Sequence, residues 1–194
     1  DLGELELGNA ANLDKVPFDK IRKEIINQYQ RGGMVSLSWH ARNPETGGDA
    51  WDVSDTTVVK SILPGGENHQ KFAGWLGGVA DFLHSLKTAD GVKIPVLFRP
   101  WHEHSGSWFW WGEKLCTPEE YKALWHMTVD TLQAKGVDNA LYAYSPGTEP
   151  KDTTEYLKKY PGDELIDVIG FDTYQSIGMP ILPGWIGHFP LSTV

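Results

Sequence analysis

Four times along the chain a helical pattern is followed by a short apolar run of strand type. That alternation limits the fold more than any other feature. Phe18, Ile21, Ile25 and Tyr29 recur at helical spacing, and Gly32-Gly33 ends the segment. Met34 to Trp39 reads as a strand, followed by a polar loop from His40 to about Asp55. After a break at Pro64-Gly65-Gly66, residues Phe72, Trp75, Leu76, Val79, Leu83 and Leu86 form an apolar helical stripe that ends near Gly91. Ile94 to Phe98 then reads as a buried strand. The next helix carries the fullest start signal: Thr117 as N-cap, Pro118 at the first helical position, and Glu120 completing a capping box. Tyr121, Leu124, Trp125, Thr128, Val129 and Leu132 are its buried face, and Gly136 closes it. Ala140 to Tyr144 is a third strand, Thr153 to Tyr160 a short helix, and Val168 to Phe171 a fourth strand.

Regular alternation with apolar strands predicts a parallel sheet with helices outside it. Two architectures compete, a (β/α)8 barrel and an open doubly wound sheet. No glycine-rich strand-to-helix turn of the dinucleotide or phosphate-binding kind is present. Polar and aromatic residues gather behind the C-terminal ends of the strands: His40, His102-Glu103, Ser145 to Glu149, and Asp172 to Tyr174. Chemistry spread over several strand ends is the barrel pattern. Such a barrel takes eight strands and about 250 residues, with about 200 as a lower limit. Four strands are recognisable in 194 residues. The expected fold is therefore α/β, a TIM barrel incomplete in this chain, with two open sheet edges.

Composition narrows the function. Lys and Arg number 17 against 26 Asp and Glu, a formal net charge of −9, which argues against nucleic-acid or anionic-membrane partners. No run of 18 apolar residues exists, so membrane insertion is not expected. The chain opens on Asp1 with no visible secretory leader. Cys116 is the single cysteine, which excludes an intrachain disulfide and a Cys-based zinc site. Its place before a helix N-cap could lower a thiol pKa, but a buried structural cysteine is the better reading. Among nine Trp, four (Trp101, Trp108, Trp110 and Trp111) fall within eleven positions. Four so close together cannot all be buried on one short element, so some of them are expected to line a cleft.

The stretch from Arg99 to Gly112 concentrates the chemistry. Glu103 follows a buried strand in aromatic surroundings, where a poorly solvated carboxyl group can hold a proton near neutral pH and act as a general acid. Arg99 can orient a carboxylate or bind substrate hydroxyls, and the ring faces offer stacking platforms for sugars. The competing reading pairs Glu103 with Arg99 as a structural ion pair and puts the tryptophans in the core. His102-Glu103-His104 is a weak metal pattern, because adjacent residues do not share a face. Ser145 lies in Tyr-Ser-Pro-Gly, which is not a nucleophile elbow. Asp172 and Tyr174 share a face at period 2.

Ser38-Trp39-His40 with Asn43-Pro44, Phe98 to His104 with Gly106 to Gly112, Tyr144-Ser145-Pro146, and Gly170 to Tyr174 together resemble glycoside hydrolase family 26. The resemblance runs in register from about Asp1 to Gln175. The best-known members of that family are endo-β-1,4-mannanases. The resemblance implies a retaining (β/α)8 glycosidase, in which one carboxylic acid serves as acid and then base while a second carboxylate attacks the anomeric carbon. By position Glu103 matches the family's acid/base. His102, Arg99 and Trp108 match residues lining the subsites beside the scissile bond. His40 matches a histidine of the same cleft, and Tyr174 a tyrosine near the nucleophile. Trp51 is expected to stack on a sugar, and Asp172 to be a supporting residue. No metal and no cofactor are implied. The expected partner is β-mannan or a related polysaccharide, the expected state a monomer, and the expected location secreted, periplasmic or cell-surface.

One departure stands against the family pattern. Its nucleophile is a Glu downstream of the Asp-x-Tyr motif, and none of the 20 residues after Tyr174 is Asp or Glu. The chain is thus expected to be a partial catalytic barrel over residues 1–175 with an atypical tail over 176–194. Three further functions stay open at this stage. These are a β-glucanase or xylanase on the same scaffold, a carbohydrate-binding fragment without activity, and an inverting enzyme with Asp172 as the second carboxylate.

Overall fold

The computed structural model describes residues 1–174; the expected boundary after Gln175 and the tail 176–194 lie outside the described residues. The elements alternate as the sequence predicts. A short 3-10 helix at Leu5–Leu7 precedes α1 (Phe18–Gln30), β1 (Ser36–Ser38), α2 (Val58–Ile62), α3 (His69–His84), β2 (Val96–Arg99), α4 (Pro118–Ala134), β3 (Ala140–Tyr144), α5 (Thr153–Leu157) and β4 (Val168–Ile169).

The four strands form one parallel sheet in the order β1-β2-β3-β4. This order decides between the two architectures. A doubly wound sheet reverses direction at a switch point, whereas a barrel adds each strand beside the last. The sheet is the barrel type, and β1 and β4 are its edges among the described residues.

Register explains which face is buried. Leu37 pairs with Phe98, and Phe98 with Tyr142. All three are buried, in one cluster with the helix residues Phe72, Leu76, Val79, Leu83, Leu124, Val129 and Leu132. The alternate row, Ser36, Leu97 and Leu141, is half-buried or exposed. The sequence reads Ile94 to Phe98 as a buried strand; the structure buries its helix side, Val96 and Phe98, and leaves Leu97 on the other side half-buried. In a closed barrel that other side is the interior, filled from strands across the axis.

The predicted stripe of α4 is buried at every position named above. Thr117 accepts from the Glu120 amide while the Glu120 carboxylate accepts from the Thr117 amide. Gly136 follows in the left-handed region at φ 83°, which glycine adopts without steric cost. Several boundaries differ. The stripe predicted to run to Gly91 ends at His84, because Lys87 and Lys93 pair in an antiparallel bridge. The helix expected over Thr153 to Tyr160 is α5 and stops at Leu157, β4 stops at Ile169, and β1 and β2 begin at Ser36 and Val96 rather than Met34 and Ile94. The α2 turn was not predicted, since it lies in a Gly/Pro-broken loop and carries the β-branched pair Val58-Val59.

Thr117→Ala removes one half of the capping box and should cost about 1 kcal/mol. In thermal unfolding followed by circular dichroism the midpoint should fall by roughly 2–4 °C. An unchanged midpoint would mean that the cap adds nothing to α4.

Candidate active site

Every residue expected at the site lies at the C-terminal end of a parallel strand, or in the loop that follows it. His40 and Trp51 follow β1, Arg99 ends β2 and the run to Trp111 follows it, Ser145 follows β3, and Asp172 and Tyr174 follow β4. Parallel strands put all these ends on one side of the sheet.

The backbone leaves strand geometry sharply after Arg99. Trp101 and Glu103 both sit at φ 53°, a left-handed conformation that costs a non-glycine residue about 1–3 kcal/mol. The turn is held by its own polar groups. The Tyr121 hydroxyl donates to the Trp101 carbonyl at 2.6 Å, and the Trp111 indole N–H to the His102 carbonyl at 2.9 Å. The Glu103 amide donates to the Ser145 carbonyl at 2.7 Å, tying the turn to β3. Behind it, Gly112 has no room for a side chain: a Cβ there would lie 2.5 Å from the Gly106 carbonyl oxygen.

This turn aims Glu103 into the cleft. The residue is 9% exposed, and each carboxyl oxygen accepts from a neutral donor. The Trp108 indole N–H reaches Oε2 at 2.9 Å and the Tyr174 hydroxyl reaches Oε1 at 3.0 Å. The hydrogen bond to Glu103 and that residue's charge push the Tyr174 phenol above its ordinary pKa, which keeps it a donor.

Arg99 does not pair with Glu103. Its Nη1 donates to Asp172 Oδ2 at 2.6 Å, and the Ser145 hydroxyl donates to the same oxygen at 2.8 Å. The ion-pair alternative raised by the sequence is thereby corrected: β2 and β4 stand on opposite sides of β3, and the Arg99 side chain bridges them. Burial raises the Asp172 carboxyl, against the lowering effect of Arg99 and Ser145.

A wall of rings closes the other side. Trp51 stacks on His40, with centroids 5.1 Å apart and planes within 11°. His102 meets His40 edge-on, and Phe109 packs against both. Asp1 Oδ2 lies 2.7 Å from His40 Nδ1, and His40 Nε2 lies 3.2 Å from His102 Nε2. A carboxylate can only accept, so His40 carries its proton on Nδ1. His40 Nε2 then accepts from His102 Nε2–H. The other ring nitrogen of His102, Nδ1, is buried.

Of the four clustered tryptophans, Trp101, Trp110 and Trp111 are fully buried, and Trp108 alone opens to the cleft. The Trp110 indole reaches the Ala41 carbonyl and its amide the Ala50 carbonyl, tying the loop after β2 to the loop after β1. The expected sugar-facing aromatics are therefore Trp51 and Trp108, from two different loops. Asp1 and Phe109 join the site although the sequence does not single them out. Asp1 lies in a stretch without period, so the sequence gives no signal for it. Cys116 is buried and its thiol is pushed up to about 11 by burial, as a structural cysteine requires. Among the described residues, no cluster of His, Cys, Asp and Glu has the makings of a metal site.

Burial, aided by the Arg99 charge, drives His40 from 6.5 down to about 4. His102 and His104 move the same way, chiefly by burial. Below pH 6.5 the unfolded chain protonates these rings while the folded chain resists, so unfolding takes up protons. The contribution of these rings to stability should be level above pH 6.5 and fall as pH drops towards 4. Urea midpoints at pH 7.5 and pH 5 (about one unit above and one to two units below the ordinary histidine value) should differ, and His40→Gln should narrow the difference. Equal midpoints would contradict the burial of neutral histidines.

Comparison with known proteins agrees with this geometry. The sequence profile of Glycosyl hydrolase family 26 matches residues 9–183. A mannan endo-1,4-beta-mannosidase from Bifidobacterium adolescentis is 45% identical over 159 residues, covering 80% of this chain and 16% of that protein. A mannan endo-1,4-beta-mannosidase from Bacillus subtilis is 28% identical over 176 residues, covering 84% of this chain and 46% of its own length. Among solved structures, a GH26 beta-mannanase from Bacteroides ovatus superposes with a TM-score of 0.89 at 64% identity, covering 90% of this chain and 51% of that one. The chain thus spans 16% to 51% of the length of these relatives. Its four-stranded parallel sheet with outer helices is part of the (β/α)8 barrel that those structures share. The motif match, the sheet and the half-barrel superposition lead to one conclusion: this chain belongs to glycosyl hydrolase family 26.

Proposed function

We propose that the chain supplies the acid/base half of a retaining enzyme that cleaves internal β-1,4-mannosidic bonds in mannan or galactomannan. The observation that carries this reading is the Glu103 carboxyl group, buried at the cleft floor with neutral donors on both oxygens. In such a reaction the acid form of Glu103 protonates the leaving oxygen, and its carboxylate later takes a proton from the attacking water. The neutral state of His40 and His102 keeps positive charge away from that carboxyl group.

Trp51 and Trp108 are 46% and 39% exposed. Flat apolar faces of this kind suit the C–H faces of sugar rings. Beside Trp51 lies a groove of about 650 Å³, lined in part by Glu4, Asn9, Arg42 and Asp49, with room for further sugar units. His40, Arg99, His102, Asp172 and Tyr174 complete the substrate-facing set. Asp172 is occupied by Arg99 and Ser145, so its part is to hold Arg99 across the sheet. The attacking carboxylate is assigned to a residue outside those described, and the inverting alternative is set aside. A polysaccharide substrate places the protein outside the cytoplasm. No helix among the described residues is long and apolar enough to cross a membrane.

Reducing-sugar release from galactomannan, β-glucan and xylan tests the reading in a protein that contains this chain. Release from mannan should fall by about 10²–10⁴ in Glu103→Gln, while an activated aryl mannoside, which needs no acid, keeps its first step. Preference for glucan or xylan, or full mannanase activity in Glu103→Gln, would overturn it. In titrations with a β-1,4-mannooligosaccharide, Trp51→Ala and Trp108→Ala should each weaken binding, by up to about tenfold. Unchanged affinity in both would remove the stacking role.

A further inference from the structure

The two left-handed residues around His102 need an external hold, and the groups that provide it differ in kind. Trp111 and Ser145 belong to loops that themselves border the cleft. Tyr121 instead sits in the first turn of α4, a 17-residue helix fixed by a complete capping box. Its ring is fully buried and packs on His104, at 4.5 Å between centroids. Its hydroxyl makes the 2.6 Å bond to the Trp101 carbonyl, two residues before Glu103. The same helix reaches the turn a second time, through Thr128 Oγ1 and the Trp101 indole N–H at 3.2 Å. Among the described residues, α4 is the helix that hydrogen-bonds the turn.

We propose that Tyr121 is a positioning residue for Glu103. Its buried hydroxyl on α4 fixes the Trp101 carbonyl, and through the left-handed turn sets where the Glu103 carboxyl group stands in the cleft. Tyr121 touches neither substrate nor reacting atoms; it acts through the backbone. Burial raises the phenol well above its ordinary pKa, so the donor persists across the working pH range. The role matters for catalysis because an acid displaced by a fraction of a bond length loses its alignment with the leaving oxygen. The inference rests on the reading of Glu103 as acid/base, but its test does not.

The Trp108 indole N–H donates to Glu103 Oε2, so its proton–nitrogen NMR line reports the position of the carboxyl group. In a chain labelled at tryptophan, Tyr121→Phe should move the Trp108 line about as far as Glu103→Gln does. The Trp110 line, whose indole donates to the Ala41 carbonyl, should stay in place. Tyr144→Phe is the control. It deletes another buried hydroxyl, bonded at 2.8 Å to the Tyr156 carbonyl, while keeping the ring that packs on His104, and should leave Trp108 unmoved. The unmodified chain gives a second arm that needs no variant to fold: the Tyr121 hydroxyl proton should be a slowly exchanging line. A stationary Trp108 line in Tyr121→Phe, an equal displacement in Tyr144→Phe, or a rapidly exchanging Tyr121 hydroxyl would each overturn the assignment. If these results hold while Glu103→Gln keeps full mannanase activity, the acid/base reading fails and the positioning stands.

Discussion

The site depends on one backbone decision, the left-handed turn at Trp101 and Glu103 where β2 ends. Continued as a strand, the chain would carry His102 and Glu103 to opposite faces of the sheet. The turn lets His102 join the ring wall while Glu103 faces the cleft floor. Two non-glycine residues in this region are individually unfavourable. They persist because the neighbouring carbonyls and the Glu103 amide are all bonded to buried or well-packed partners. The strain thus marks a place where the surrounding structure dictates the backbone, and a candidate catalytic group sits on it.

The loops after the strands are stitched to one another as firmly as to the sheet. Trp110 ties the loop after β2 to the loop after β1, Ser145 ties β3 to the turn, and Arg99 with Asp172 spans from β2 to β4. The histidines belong to this stitching. Asp1 fixes the His40 tautomer, and His40 in turn fixes that of His102. Burial keeps both rings neutral, so the cleft combines a carboxyl group with polar partners that add no positive charge next to it. Arg99 is the cation at hand, and Asp172 balances it.

Much of this was legible in the residues, and the legible parts share a cause. The buried stripe of α4 and its capping box follow from local spacing and local hydrogen bonds, so they were readable at each position. The strands were found for the same reason, and the clustering of polar residues behind them pointed to the barrel before the sheet order did. The pairing of Arg99 was not legible. Its partner Asp172 is 73 positions away, and Glu103, four positions off, was the nearer candidate by sequence. Asp1 was missed because a side chain that acts on a residue 39 positions downstream leaves no local pattern. The tryptophan cluster was half legible: four could not all be buried, but which one opens to the cleft was decided by the turn. Trp108, whose indole must reach Glu103, is the one left outside.

The central claim is that Glu103 stands where the bridging oxygen of a β-1,4-mannan lies when the chain is bound along Trp51 and Trp108. A structure of the protein with a β-1,4-mannooligosaccharide in the cleft tests this most directly. The prediction is a glycosidic oxygen within about 2.6–3.2 Å of a Glu103 carboxyl oxygen, with sugar rings lying on the faces of Trp51 and Trp108. An oligosaccharide bound elsewhere, or one in the cleft with every bridging oxygen out of reach of Glu103, would contradict it.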